Sequence, residues 1–221
     1  MAEPQRNSRI PTASGPGDEA LLEQFLHGDE GAYRVLYDRY SSGVLTYLHK
    51  ILVDYPEAAD DLWQETFIKL YGERKKYRAG IESGEYNQIK NFKGWLFRVA
   101  HNLAISHLRS RRQTVSLSEG DDDGGARWDE RLMVPIEESF ASQFGSEDAM
   151  ADETLHEKLR QCIELLPQSL REVYLLREVN EMEYEDVAET VGCTQEAARM
   201  RVSRARRALR KALERYLQKN R

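Results

Sequence analysis

The sequence predicts an all-α protein: two small helical domains joined by an acidic, flexible linker. Three observations carry that expectation. Apolar residues recur at three- and four-residue intervals over both ends of the chain, no segment alternates convincingly as a strand does, and charge is strongly segregated along the sequence. A chain of 221 residues is long enough to bury a real core in one large domain or two small ones.

Residues 1–17 carry Pro, Gly and Ser without an apolar stretch, so they read as a disordered tail and not as a secretion signal. Leu21, Leu22, Phe25 and Leu26 mark a first helix, and Val35, Leu36, Tyr40, Val44, Leu48 and Ile51 a second. Between them Gly28 reads as a helix stop and Asp29 as the next N-cap. A third helix opens near Pro56, which is tolerated in a first turn, and runs to about Gly72. The polar stretch Glu73 to Asn91 reads as a loop, and a fourth helix runs from about Phe92 to Arg112. Residues 18–112 therefore form one domain. From Gln113 to Asp152 the chain is acidic, contains Gly and lacks a sustained period, the composition of a linker. Within it Ile136, Phe140 and Phe144 recur every four residues; a short amphipathic helix and a tether with a few residues tacked onto a neighbouring core both fit. Helical spacing returns with Leu155, Leu159, Ile163 and Leu166. Pro167 starts another helix, and the last third ends in two helical patterns split by Val191-Gly192-Cys193-Thr194, so 153–221 is the second domain.

The 32 basic and 38 acidic residues give a formal charge of −6. That total hides the distribution. From Gln113 to Glu153 twelve acids face two arginines, a net −10, whereas from Thr194 to Arg221 ten basic residues face two acids, a net +8. Clustered charge reports on partners, bulk charge on solubility. No apolar run approaches the length of a membrane-spanning helix, so no membrane insertion is expected. Cys162 and Cys193 alone make neither a disulfide framework nor a zinc site, and a cytoplasmic location is the default. No catalytic triad, Gly-rich phosphate loop or metal-spaced His/Cys set is visible, so neither cofactor nor enzyme activity is expected.

The C-terminal pattern is the most informative. Tyr184, Val187, Ala188 and Val191 make a short amphipathic helix, Gly192 supplies a turn and Thr194 can cap the next helix, which is the helix-turn-helix arrangement. At about 100° per residue, Ala198, Val202, Ala205 and Leu209 fall on one apolar stripe. Glu196, Arg199, Met200, Ser203, Arg204 and Arg207 fall opposite, with Arg201 and Arg206 flanking. An apolar back and an Arg-rich front suit a major groove, where Arg reads guanine and neighbouring cations hold phosphates. The plainer alternative is a solvated basic face. In the N-terminal domain Leu62, Thr66, Phe67 and Leu70 face inward, while Asp60, Asp61, Gln64, Glu65 and Ile68 face outward. The helix after Phe92 carries Trp95, Arg98, Arg109, Arg111 and Arg112 with no acid from Trp95 to Arg112. Aromatics beside cations can stack on unpaired bases, or Phe92 and Trp95 can be core anchors.

Asp60-Asp61-Leu62-Trp63-Gln64-Glu65-Thr66-Phe67, then Phe92-Lys93-Gly94-Trp95-Leu96 and Ala100-His101-Asn102-Leu103-Ala104-Ile105, resembles the second conserved region of bacterial sigma-70 family factors. Tyr184 to Leu209 looks like their fourth region. With no full domain between, the match is to the extracytoplasmic-function (ECF) group, over roughly residues 18–112 and 153–217. The resemblance implies a subunit that binds core RNA polymerase, recognises two promoter elements and helps open the DNA. It implies docking of Asp60, Asp61, Gln64 and Glu65 on the clamp coiled coil of the largest polymerase subunit. Phe92, Trp95, Arg98 and Asn102, with Arg109, Arg111 and Arg112, would meet the minus-ten element as it melts. Thr194, Glu196, Arg199, Met200, Arg201, Ser203, Arg204 and Arg207 would serve the minus-thirty-five element. Met200 and Ser203 stand where the family often has a bulky or basic residue, and the loop from Glu73 to Asn91 looks longer than usual. An anti-sigma partner is a further expectation. The acids from Glu119 to Glu153 are expected to lie in a basic polymerase channel that otherwise carries RNA, so neutralising them should change initial transcript release.

Two rival functions follow from the same residues. Asp60, Asp61 and Glu65 could hold Mg²⁺ against a diphosphate, but that chemistry needs a second acidic cluster across a cavity, and none is spaced for it. A helix-turn-helix regulator without polymerase-core binding is the other. It would bind promoter duplex tightly by itself.

Overall fold

A computed structural model describes residues 15–83, 89–116 and 155–219. Eight α-helices occupy them: α1 (Asp18–His27), α2 (Glu30–Ile51), α3 (Pro56–Ser83) and α4 (Phe92–Ser116), then α5 (Leu155–Glu164), α6 (Gln168–Tyr174), α7 (Tyr184–Val191) and α8 (Gln195–Lys219). No strand occurs among the described residues.

The helix boundaries follow local chemistry. Gly28 ends α1 at φ 119°, a left-handed conformation that L side chains rarely adopt, and its N–H bonds back into the last turn. Asp29 then caps α2, its Oδ1 accepting from the N–H groups of Gly31 (2.8 Å) and Ala32 (3.3 Å). Asn91 caps α4 in the same way, with Oδ1 2.8 Å from the Gly94 N–H. Thr194 Oγ1 accepts from the Ala197 N–H at 3.1 Å at the start of α8, after Gly192 has turned the chain at φ 70°.

Three elements differ from the sequence expectation. The third helix does not stop near Gly72 but continues to Ser83. Its extension is held by distant partners. Arg74 pairs with Glu30 and lies over the Phe25 ring, and Tyr77 Oη meets His27 Nε2 at 2.9 Å. A lone glycine inside a helix costs only about 1 kcal/mol relative to alanine, so the helix runs through Gly72. A second difference follows α6, where Leu175–Val179 forms one wider π turn. Asn180 N–H and Nδ2 both donate to the Leu175 carbonyl, and Glu181 is left at φ 51°, the one positive-φ non-glycine among the described residues. The fourth helix also runs four residues past Arg112, to Ser116. The tail before Gly15, the acidic linker with its Ile136-Phe140-Phe144 pattern, and residues 84–88 lie outside the described residues.

The core is one continuous cluster. Phe25, Leu36, Tyr47, Phe92, Phe97 and Leu96 are fully buried among α1–α4, and Leu166, Val173, Leu176, Val187 and Val202 among α5–α8. At roughly 25 cal/mol per Å² of apolar surface buried, each such large side chain contributes about 1.5–3 kcal/mol. The two halves pack against each other, α4 on α7 and α2 on α6. Arg171 of α6 is half-buried between them, donating to the Leu166 carbonyl and, at 3.1 Å, to the Lys50 carbonyl of α2.

Candidate nucleic-acid interface

The apolar stripe of α8 is where the helical spacing puts it: Ala198, Val202 and Ala205 are fully buried, and Leu209 and Ala212 nearly so. Small side chains at three of these positions let α8 lie close to α6 and α7. The opposite face is exposed and carries Glu196, Arg199, Met200, Ser203, Arg204 and Arg207, with exposed Thr194 at its start. The Arg199 guanidinium lies 5.4 Å from the Tyr184 ring centroid, which steadies the side chain while the residue stays exposed. Arg201 is half-buried. It neighbours the Glu172 carboxyl of α6, whose burial raises its pKa from 4.5 to about 7 despite the opposing pull of Arg201 and Arg171. Arg206 pairs with Glu178 at 2.7 Å.

On α3, Asp60, Asp61 and Gln64 are exposed and Glu65 is half-buried, in successive turns of one face. Glu65 meets Lys69 at 3.2 Å, and Asp60 lies 3.8 Å from His49. Phe67 and Leu70 anchor the inner side, and Trp63 Nε1 donates to the Ser41 carbonyl at 3.1 Å, which fixes the rotation of the helix. Beside this face a groove of about 500 Å³ opens between α2 and α3, lined by Tyr33, Tyr37, Trp63, Phe67 and Tyr71. Ile68, 67% exposed, stands at its edge. Sequence reasoning placed Ile68 outward but missed the groove, because two of its tyrosines, Tyr33 and Tyr37, come from α2.

On α4 the expected residues divide. Phe92 is 0% exposed, edge-on to Tyr40 and stacked on Trp95, so it is a core anchor with no face left for a base. That corrects its assignment to the minus-ten set. Trp95 is half-buried, Asn102, Arg109 and Arg111 are exposed, and Arg111 lies over the Tyr55 ring. Arg112 lies on the same helix. Arg98 pairs with Glu189 of α7. Inward from Arg98, His101 is buried with Nδ1 2.8 Å from Tyr47 Oη, and burial lowers its pKa from 6.5 to about 4. Asn91, not singled out from sequence, both caps α4 and donates to Asp186 of α7 at 2.6 Å. Among the described residues no group of three or more His, Cys, Asp or Glu is placed to hold a metal ion.

Geometry of this kind has relatives. A family model described as Sigma-70 region 2 matches residues 36–114, and one described as Sigma-70, region 4 matches 156–209. The RNA polymerase sigma-H factor of Pseudomonas aeruginosa is 33% identical over 199 residues, covering 89% of this chain and 94% of that one. The ECF RNA polymerase sigma-E factor of Escherichia coli K12 is 29% identical over 201 residues, covering 87% and 92%. Among solved structures, the sigma factor RpoE of Bartonella quintana, in complex with the anti-sigma factor NepR, superposes with a TM-score of 0.56 at 21% identity, covering 82% and 96%. CnrH, in complex with the cytosolic domain of CnrY, gives 0.52 at 19%, covering 89% and 97%. With both regions present in order and the curated relatives matched over nearly their whole length, the chain belongs to the sigma-70 family of RNA polymerase sigma factors, in its ECF group.

Proposed function

We propose that this alternative sigma factor divides promoter recognition between its two domains, residues 18–112 and 153–221. The outward face of α3, with Asp60, Asp61, Gln64 and Glu65, docks on the clamp coiled coil of core polymerase. The α4 helix holds the separated minus-ten strand through Trp95, Arg98, Asn102, Arg109, Arg111 and Arg112. The α8 helix enters the minus-thirty-five major groove with Arg199, Met200, Ser203, Arg204 and Arg207, while Thr194 and Glu196 lie at its leading end and Arg201 supports it from the flank.

The observation that carries this reading is α8 itself, an Arg-rich exposed face backed by a buried stripe of small residues. Duplex recognition wants a rigid helix in a groove, and strand capture wants stacking surfaces worth about 1–3 kcal/mol per base. The two tasks suit separate modules. Such a factor supplies binding energy to polymerase and catalyses no step itself. We place its action in the cytoplasm; no helix among the described residues is long and apolar enough to cross a membrane. An anti-sigma factor, as bound to the Bartonella relative, is a fitting regulator for these faces.

The test is transcription by core polymerase on a randomised promoter library with the full-length protein added. Transcripts should arise from templates sharing two spaced elements. Tight duplex binding by the protein alone with no effect on core polymerase would instead establish a helix-turn-helix regulator.

A further inference from the structure

We propose that α7 closes the free protein on itself, its acidic side covering the Arg98 end of the minus-ten-reading face of α4. This rests on the assignment of α4 to the minus-ten strand.

Sequence reasoning treats the two domains as modules held apart on a tether, yet they are packed together, and the contact is built from opposite charge. Helix α7 reads Tyr-Glu-Asp-Val-Ala-Glu-Thr-Val and has no basic residue. Its Val187 and Ala188 are buried, while Asp186 and Glu189 reach α4. Glu189 takes Arg98, and Asp186 takes the amide of Asn91, the residue that starts α4. Lys93, half-buried and little more than one turn before Arg98, faces Asp18, Glu181 and Asp186. A second charged contact closes the far edge, where Lys50 of α2 pairs with Glu164 of α5 beside the Arg171 bond to the Lys50 carbonyl.

The consequence is a competition. Glu189 neutralises the Arg98 guanidinium, and α7 packed on α4 covers the space beside it, so Arg98 holds a strand phosphate less well while α7 is in place. The block is selective. The front of α8 lies on the other side of the helix-turn-helix and keeps Arg199, Met200, Ser203 and Arg207 exposed in the closed form. The closed protein therefore has the Arg98 end of the strand-holding face covered, while Asn102, Arg109, Arg111 and the front of α8 stay exposed, which orders the two events: upstream duplex can be met before the strand is fully held.

The experiment uses the full chain and two readouts, the radius of gyration from small-angle X-ray scattering and anisotropy of short fluorescein-labelled single strands of randomised sequence. Glu189→Gln with Asp186→Asn neutralises the two carboxylates that meet α4, and Glu185→Gln, exposed on the same helix, shows what the loss of one α7 charge does away from the contact. Partly exposed pairs are weak individually, so the double variant should expand the chain and tighten strand binding about three- to tenfold, with Glu185→Gln near the parent. Exchanging the charges, Arg98→Glu with Glu189→Arg, should return the parental radius. A parent already expanded in solution, or a double variant indistinguishable from Glu185→Gln, overturns the closure. Expansion without any gain in strand binding instead removes α4 from the minus-ten strand, and the autoinhibitory role goes with it; promoter opening by Arg98→Ala holoenzyme then reads out that second failure separately.

Discussion

Glu172 and His101 oppose each other, and that opposition can be measured. Both are buried close to Tyr47, Glu172 on α6 among Arg171 and Arg201, His101 on α4 against the Tyr47 hydroxyl. The Glu172 carboxyl rises from 4.5 to about 7, so the folded state holds its proton where the unfolded chain has lost it. Its contribution to stability is complete below pH 4.5 and disappears as pH climbs to 7. His101 falls from 6.5 to about 4, so its contribution is complete above pH 6.5 and disappears as pH drops to 4. Each of these displacements corresponds to about 3 kcal/mol. Between pH 4.5 and 6.5 the two slopes have opposite sign and nearly cancel. Glu172→Gln keeps the side-chain shape and deletes one of them. Urea unfolding followed by circular dichroism should find the variant about 3 kcal/mol more stable than the parent at about pH 8 and no more stable at about pH 4. Titratable groups elsewhere are common to both proteins and drop out of the difference. A variant that is no more stable at the alkaline end, or whose stability parallels the parent's across the range, refutes the burial argument.

Arg204→Ala should cost about 1–3 kcal/mol at one position of the upstream promoter element and relax the base preference there, read from a position-by-position binding series with holoenzyme. Asp61→Lys should abolish co-elution with core polymerase while the circular dichroism spectrum stays parental, because Asp61 is exposed on α3 and packs on nothing in the core. Phe92→Ala should cost about 3–5 kcal/mol of stability in a urea titration, since the ring fills core space against Tyr40 and Trp95.

What could be read in advance was whatever depends on neighbours a few residues away. Gly28 and Asp29 mark a helix end and a helix start by their own backbone and side-chain preferences. The α8 stripe is legible because period and burial coincide in Ala198, Val202, Ala205 and Leu209. What stayed hidden depends on partners far along the chain. The stretch after Gly72 looked like a polar loop because the groups that hold it, Glu30 and His27, lie more than forty residues earlier. Phe92 could be read either as a stacking residue or as a core anchor, and the choice depends on Tyr40, far earlier in the chain, which covers it. The π turn at Leu175–Val179 has no sequence signature, being one extra residue absorbed where the chain turns toward α7. The pairing of Arg98 with Glu189 spans 91 residues and two domains, and no periodicity reports it.

Net charge misleads for the same reason that pairing was invisible: distance decides which charges count. At physiological salt the Debye length is about 8 Å, so the acids of the segment Gln113 to Glu153 matter at α8 only where they come into contact with it. Position on the helix is what separates the arginines of the C-terminal domain. Arg206 flanks the buried stripe and is held by Glu178, and Arg201 sits on the other flank beside Glu172, so neither is directed at a groove. Arg199, Arg204 and Arg207 are exposed on the face opposite the buried stripe. Each phosphate neutralised releases condensed counterions and steepens the salt dependence by about 0.9 in the log–log slope. With Arg204 on a base edge and Arg199 and Arg207 on phosphates, the predicted slope is about −2 for full-length protein on a duplex carrying the upstream element, measured by anisotropy over a potassium chloride series. Arg206→Ala should leave that slope almost unchanged, and Arg207→Ala should lower its magnitude by about one. A slope of about −7, matching the full net charge from Thr194 to Arg221, means that the basic segment binds as a diffuse cation, and the assignment of one helix face to the groove then fails.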